Sequence, residues 1–208
     1  MSQEFINPNN NQLPIGAVVV VGGGIAGMQA SLDLADQGFK VYLVERLSAI
    51  GGKMAQLDKT FPTNDCAMCT ISPKLVETGR HPNIQLLTKS EVIDVQGSVG
   101  NFKVTIQQQP RYIDSSKCVA CGDCTRVCPV IIPDTFNEAL NTRRAAYKLY
   151  PQAVPNAFAI EKRGIAPCRD ACPAGQRAQG YIALIREGRW QDAMRVIKID
   201  HPFPGICG

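Results

Sequence analysis

A glycine-rich turn between two apolar runs is the feature that most limits how this chain can fold. Ile15 to Val21 is almost purely apolar and β-branched, as in a strand buried on both faces of a parallel sheet. GGGIAG follows, and residues 28–37 then carry apolar side chains at helical spacing. Residues 40–45, KVYLVE, predict a second strand. The pattern therefore predicts one right-handed βαβ unit.

The spacing GxGxxG gives each glycine a separate task. Gly22 permits the tight turn, Gly24 lets the backbone approach a pyrophosphate, and Gly27 allows close packing of helix on strand. Glu45 ends the second strand 21 residues after Gly24 and is suited to accept hydrogen bonds from an adenosine ribose. The pattern favours a dinucleotide with an unphosphorylated ribose and disfavours NADP. A bare strand-turn-helix without a ligand is the alternative.

A glycine pair follows Glu45 after six residues. The glycine triplet alone does not distinguish NAD from FAD. The order of triplet, acid and glycine pair resembles the amino-terminal FAD half of two-dinucleotide-binding flavoproteins. That resemblance implies FAD, bound by Gly22, Gly24, Gly27, Glu45, Arg46, Gly51 and Gly52.

The cysteine run C-x2-C-x2-C-x3-C-P is typical of bacterial ferredoxins. Its members are Cys118, Cys121, Cys124 and Cys128. Short spacers direct successive thiolates to neighbouring corners of one iron-sulfur cube, while loop amides bond the sulfides. A zinc site usually uses two separated pairs, so zinc is disfavoured. We expect at least one [4Fe-4S] cluster, in which the fourth cysteine either closes the cube or serves another cluster.

The other cysteines leave several interpretations open. Cys168 and Cys172 form the end of a second run whose first two members are absent, so they are weaker candidates for cluster ligands. Cys66 and Cys69 fit a redox dithiol, two cluster ligands or two buried small residues. A redox dithiol requires that the pair open a helix.

Further elements follow from periodicity and turn residues. Helices are expected at 73–79 and 136–147 and again after residue 175, where two apolar faces recur. Strands are expected at 84–88, 91–95 and 102–107, the last two flanking a hairpin loop. The two apolar faces are Tyr181, Leu184 and Ile185, and Trp190, Met194 and Ile197.

Several of these motifs occur together in one known family. VVVVGGGIAGMQASLDLADQGFKVYLVE, GGKMAQLDKTFPTNDCAMC, SPKLVETGRHPNIQLLTKSEV and KCVACGDCTRVCP resemble the A subunit of heterodisulfide reductase over about residues 15–160. The resemblance implies a thioredoxin-reductase-like FAD domain with an inserted ferredoxin domain. It also implies flavin-based electron bifurcation, with partners such as the B and C subunits of heterodisulfide reductase and a hydrogenase or dehydrogenase donor.

The carboxyl-terminal part resembles a different family. From about Pro167, CRDACPAGQRAQGYIALIREGRWQDAM is similar to the helical iron-sulfur domain of glutamate synthase small subunits. We therefore expect an α/β protein with three parts. These are a partial Rossmann-like FAD-binding domain over 15–110, a ferredoxin-like [4Fe-4S] insert over 111–160, and a truncated helical iron-sulfur domain over 165–208.

Composition limits where this protein works and what it binds. Lys and Arg number 22 against 18 Asp and Glu, without a basic block, so no nucleic-acid partner is expected. The first sixteen residues lack the features of a secretory signal, and no window approaches the roughly 18 apolar residues of a membrane helix. We expect a cytoplasmic protein without direct membrane insertion.

Two classes of function fit these features. In the first, the chain is an FAD- and iron-sulfur-dependent oxidoreductase in which flavin exchanges two electrons with a donor and single electrons with clusters. In the second, it is a non-catalytic relay or docking module of a larger oxidoreductase. A component of a glutamate-synthase-like NAD(P)H oxidoreductase is a third possibility.

Overall fold

The computed structural model describes residues 16–207, except Pro129 and Arg163. The chain divides into two compact units, one ending at Glu161 and one beginning at Lys162. Ile15, where the first predicted strand starts, lies outside the described residues.

A three-stranded parallel sheet forms the centre of the first unit. Its strands are β1 (Ala17–Val21), β2 (Lys40–Glu45) and β3 (Ile84–Thr88), paired in the order β1-β2-β3. Helix α1 (Ile25–Asp36) connects the first two strands. The predicted βαβ unit is thus confirmed, with a third parallel strand added beside β2.

The hydrophobic core lies between this sheet and two helices. Helix α2 (Ala67–Arg80) packs beside α1. The core includes Met28, Leu32, Ala35, Val41, Leu43, Ile50, Ile71 and Leu75. Tyr150 and Ala153 belong to the same core, although they come from the segment after the cysteine run. Residues on both sides of position 110 are therefore packed together.

Helix α2 begins six residues earlier than the sequence predicts, because Cys66 rather than Pro73 marks its start. The Cys66 side chain accepts a hydrogen bond from the Cys69 N–H group at 3.1 Å and caps the helix. Pro73 lies inside α2 on an exposed side, where the carbonyl group that loses its intrahelical donor is not buried.

An antiparallel hairpin follows the sheet. Strands β4 (Ser90–Ser98) and β5 (Asn101–Gln108) pair from end to end, with a bulge between Val92 and Asp94. Only Val99 and Gly100 remain as the turn, so the expected hairpin is confirmed with longer strands and a tighter loop. Gly100 has a φ angle of 84°, which suits the positive-φ position of a two-residue hairpin turn.

The cysteine run is followed by two small antiparallel pairs. Helix α3 (Asp123–Val127) lies within the run, and the strands after it are β6 (Ile131–Pro133), β7 (Thr142–Arg144), β8 (Ala146–Tyr147) and β9 (Ala159–Ile160). β6 pairs with β7, and β8 pairs with β9.

The helix predicted over 136–147 is wrong. The helical structure there is limited to a 3-10 turn capped by the Asp134 side chain, and strands β7 and β8 follow it. Glu138 and Ala139 then have φ angles of 51° and 61°, a left-handed conformation that no right-handed helix continues through. Arg143 instead lies in β7 and pairs with Asp134 at 3.3 Å. Strand pairing and this ion pair override the helical propensity of the segment.

The second unit is helical, as predicted from residue 175 onward. Its elements are α4 (Pro167–Asp170), α5 (Ala178–Arg186), α6 (Trp190–Asp200) and α7 (Pro204–Cys207). On the second predicted apolar face, Trp190 and Met194 are 66% and 45% exposed within this unit, while the neighbouring Ala193 is buried. α5 approaches α6 through Gly180, where an added Cβ would lie 3.4 Å from Val196.

Candidate functional site

The glycine triplet forms the turn from β1 into α1. Gly22 has a φ angle of 100°, and its N–H group donates to the Val44 carbonyl at 2.8 Å. A Cβ atom on Gly27 would lie 1.9 Å from the Gly22 carbonyl oxygen, so only glycine lets α1 start this close to β1. A Cβ atom on Gly24 would meet nothing within 4 Å. Open space therefore lies beside Gly24 at the start of α1.

The Glu45 carboxylate is fixed against this turn. Its Oε2 accepts a hydrogen bond from the Gly23 N–H group at 2.8 Å, and its Oε1 accepts one from the Leu47 N–H group at 2.8 Å. The residue is only 7% exposed. Each carboxylate oxygen keeps a further lone pair that can accept a ribose hydroxyl. Arg46 is exposed immediately after it.

The glycine pair lies directly on the triplet. The Gly51 N–H group donates to the Gly23 carbonyl at 2.7 Å. A Cβ atom on Gly52 would come within 2.9 Å of the Gly24 Cα atom, and Gly52 has a φ angle of 58°. The structure thus places triplet, acid and glycine pair side by side, although they are far apart in sequence.

This arrangement fits the adenosine and pyrophosphate part of a dinucleotide. Gly24 is the N-cap of α1 and has no side chain, so the first N–H groups of this 12-residue helix stay available to an anion. Glu45 supplies acceptors beside them. A pyrophosphate in the open space beside Gly24 would be held by backbone donors and the helix dipole.

The ferredoxin-type cysteine run occupies one loop and the short helix α3. The first two cysteines precede α3, the third lies in it and the fourth ends it. Ala120 and Gly122 have φ angles of 56° and 86°, which bend the loop so that its amide groups can face bound sulfides. All four thiols of the run are free: Cys118, Cys121, Cys124 and Cys128.

The donor set fits an iron-sulfur cube. In the described ranges 16–128, 130–162 and 164–207, no three His, Cys, Asp or Glu side chains gather around the position of a single metal ion. A cube takes each thiolate at a separate iron corner, so its ligands need not converge on one point. Four thiols in a loop rich in backbone amides are the donors that such a cluster uses.

Backbone donors at the starts of β8 and β9, or one residue before them, reach both ends of the cysteine run. The Phe158 N–H group donates to Cys118 Sγ at 3.5 Å. Burial raises the pKa of the Cys128 thiol, but the N–H groups of Ala146 and Ala145 and the charge of Arg144 bring it below its usual value. The contacts at Cys128 favour its thiolate form.

Cys66 and Cys69 form a disulfide, with Cα atoms 5.2 Å apart. Both residues are exposed, so their interpretation as two buried small residues is wrong. The pair opens helix α2, which is the condition that a redox dithiol must meet. Ligation of a cluster by this pair stays a prediction.

Cys168 and Cys172 lie in the second unit. Cys168 is exposed within α4, and Cys172 follows that helix in a half-buried position. Both thiols are free, and the Cys172 carbonyl accepts the Gly175 N–H group at 2.8 Å. A role as cluster ligands stays a prediction for both.

Residues 48–50, in the loop after β2, make three contacts with segments on either side of the cysteine run. The Ile50 N–H group donates to the Val154 carbonyl at 2.9 Å. The Tyr150 hydroxyl donates to the Ile50 carbonyl. The Arg111 guanidinium donates to the Ser48 carbonyl at 2.6 Å. Residues 48–50 and the two segments that flank the cysteine run are therefore held together by buried or half-buried hydrogen bonds.

Replacing Tyr150 with phenylalanine is expected to lower the free energy of unfolding by about 1–3 kcal/mol, because the buried Ile50 carbonyl loses its donor. Burial and the neighbouring Glu45 carboxylate raise the pKa of Tyr150. A raised phenol pKa stabilises the fold below the ordinary value of about 10, and this stability is lost as pH rises beyond it. The wild-type protein should therefore lose more stability than the variant in alkaline solution.

Urea denaturation at neutral and alkaline pH measures both effects. Tyr42→Phe serves as the control, since Tyr42 is half-buried with its ring 6.0 Å from Lys40 Nζ, and it should change stability by no more than about 0.5 kcal/mol. If the Tyr150→Phe protein is as stable as the Tyr42→Phe protein, the hydrogen bond from Tyr150 to Ile50 does not stabilise the fold as proposed.

The chain shares half or nearly half of its aligned residues with proteins of one family. It is 56% identical over 142 residues, 68% of its length, to one CoB–CoM heterodisulfide reductase iron-sulfur A subunit of Methanopyrus kandleri. It is 50% identical over 162 residues to the corresponding A subunit of Methanocaldococcus jannaschii, and 48% identical over 182 residues to a protein of Archaeoglobus profundus described as like this subunit; each alignment spans 76% of the chain. The chain is a homologue of the heterodisulfide reductase A subunit.

Family profiles agree with this relationship. Residues 17–66 match the FAD dependent oxidoreductase family, and residues 109–130 match a 4Fe-4S binding domain. Residues 151–208 match domain II of dihydropyrimidine dehydrogenase, a 4Fe-4S cluster domain. The expected FAD and [4Fe-4S] cofactors are thus confirmed for this homologue of the heterodisulfide reductase A subunit. The likeness to glutamate synthase stays a prediction.

The heterodisulfide reductase relatives are much longer than this chain, which spans 22%, 24% and 26% of the three named above. The activity and partners of the full-length relatives therefore come to this chain only as proposals. In the part of the chain that the structure describes, no helix has the length and apolar character required to cross a bilayer.

Proposed function

We propose that this chain is an electron-transfer part of a heterodisulfide-reductase-like complex, carrying FAD and at least one [4Fe-4S] cluster. Bound FAD supplies the exchange of electron pairs with a donor and of single electrons with clusters. The triplet glycines, Glu45 and the glycine pair hold the dinucleotide, and the cysteine run holds the cluster. In the complex this exchange includes flavin-based bifurcation, with B- and C-type reductase subunits and a hydrogenase or dehydrogenase as partners.

The hydrogen bonds of Arg111, which connect the loop after β2 with the residue that donates to Cys118, carry this proposal. Arg111 donates to the Ser48 carbonyl, close to the glycine pair, and also to the Phe158 carbonyl at 3.4 Å. The Phe158 N–H group in turn contacts Cys118 Sγ. One side chain therefore links the loop on the flavin side to a hydrogen-bond donor of a cluster thiolate. A fixed arrangement of this kind suits electron transfer between the two groups.

Anaerobic reconstitution with FAD, iron and sulfide tests the proposal. The protein should show flavin bands near ~450 nm over broad iron-sulfur absorption. In a reductive titration with dithionite, Gly24→Ala should take up two electrons fewer per chain, because its flavin is lost. Cys124→Ser should lose a cluster signal and keep flavin. Iron without flavin would favour a relay module, and zinc without iron would exclude both functions.

A further inference from the structure

Arg111 makes four hydrogen bonds at the junction of the two candidate sites. Its guanidinium donates to the Ser48 carbonyl at 2.6 Å and to Thr88 Oγ1 at 2.9 Å. It also donates to the carbonyl groups of Ala157 and Phe158 at 3.2 and 3.4 Å. The side chain is half-buried. These contacts fix both its position and the backbone just before β9.

The positively charged Arg111 guanidinium is connected to the cysteine run through Phe158. The Phe158 N–H group that donates to Cys118 Sγ belongs to the residue whose carbonyl Arg111 holds. Burial lowers the pKa of Arg111, while its interactions with Tyr147 and Cys118 raise it. An arginine stays protonated in proteins, so a permanent positive charge lies on the Cys118 side of the run.

We propose that Arg111 is a positioning residue that raises the reduction potential of the cluster held by Cys118, Cys121 and Cys124. Reduction adds one electron to the cluster, and a fixed positive charge stabilises the product more than the oxidised state. Net charge and hydrogen bonds to the sulfur atoms both set such potentials. This inference rests on the proposed function, since it requires the cluster to be present.

Arg126 provides a matched control. It lies in α3 between Cys124 and Cys128, its side chain is 80% exposed, and it pairs with Asp123 at 3.4 Å. Solvent and salt screen an exposed charge far more than a half-buried one. Loss of the Arg126 charge should therefore change the cluster potential less than loss of the Arg111 charge, although Arg126 is closer to the cysteines in sequence.

Redox titration followed by electron paramagnetic resonance measures the effect in the reconstituted chain. The signal that Cys124→Ser removes identifies this cluster. Arg111→Gln should shift its midpoint to more negative values, corresponding to about a tenfold change in the reduction equilibrium, or 59 mV for one electron. Arg126→Gln should stay near the wild-type value. Arg111→Lys keeps the charge and should also stay near it.

The possible outcomes separate this inference from the proposed function. A wild-type chain without flavin or without the cluster signal contradicts the proposed function. Wild-type cofactors together with an unchanged midpoint in Arg111→Gln overturn the role of Arg111. If Arg111→Gln loses iron, the Arg111→Lys variant tests the inference instead. A midpoint potential at the wild-type value supports the proposed effect of the charge, and a more negative midpoint potential overturns it.

Discussion

Replacing Gly27 with alanine is expected to abolish FAD binding and to destabilise the first unit. The new Cβ atom would lie 1.9 Å from the Gly22 carbonyl oxygen. Both atoms are attached to the backbone, so no side-chain rotation relieves the clash and α1 must move away from β1. Overpacking of this kind costs about 1–3 kcal/mol or more. Displacement of α1 also moves its first N–H groups away from the pyrophosphate.

Gly24→Ala separates loss of ligand from loss of fold. Gly24 has φ and ψ angles of -73° and -178°, which alanine adopts without strain, and its Cβ would meet nothing within 4 Å. Stability should change by no more than about 0.5 kcal/mol. The methyl group occupies space assigned to the pyrophosphate, so flavin should still be lost.

Flavin content after gel filtration and urea denaturation are the two measurements for this pair. Gly27→Ala should have a lower flavin content and a lower stability than the wild type. Gly24→Ala should have a lower flavin content at unchanged stability. Retention of FAD by Gly24→Ala would place the pyrophosphate elsewhere. Wild-type stability in Gly27→Ala would show that α1 tolerates a shift along β1.

Local signals predict the parts of this fold that depend on short-range geometry. The strand, glycine turn and helix of residues 17–36 follow from patterns within twenty residues, and the structure agrees with them. The hairpin β4–β5 follows from alternation around a glycine-rich turn. In each case neighbouring residues determine the backbone, so the sequence carries the information locally.

Contacts between distant segments are not visible in such patterns. Tyr150 reaches Ile50 across 100 residues, and Arg111 reaches Ser48 across 63. Neither residue belongs to a motif, and an arginine before a cysteine loop is more often a surface residue. The wrong helix over 136–147 has the same origin, since its alanine- and arginine-rich sequence favours a helix until β6 supplies a partner strand.

Glu45, which the sequence predicts as a ligand-binding residue, also has a structural role in the glycine turn. The sequence predicts a ribose acceptor from its place at the end of β2. The structure adds that both carboxylate oxygens accept backbone N–H groups, from Gly23 and Leu47. The acid therefore shapes the glycine turn as well as offering acceptors beside it. Its replacement should affect folding and flavin binding together.

Glu45→Ala is expected to release FAD and to lower the free energy of unfolding by about 1–3 kcal/mol, mainly because the buried Gly23 N–H group loses its acceptor, whereas the Leu47 N–H group is only partly buried. Glu45→Gln keeps one acceptor oxygen, while its amide nitrogen faces the other N–H group. The glutamine variant should therefore lie between alanine and wild type in stability. Flavin content and urea denaturation, measured together, test this order.

Iron content decides whether the two cofactor sites are separable within one compact unit. The residues that contact the Cys118 and Cys128 sulfur atoms include Phe158, Val130, Ala145 and Ala146, none of which binds Glu45. Iron should therefore stay at the wild-type level in Glu45→Ala wherever the variant remains folded. If iron falls in proportion to flavin in folded protein, the shared core that contains Ile50 and Tyr150 transmits the damage, and cofactor loading at the two sites is coupled.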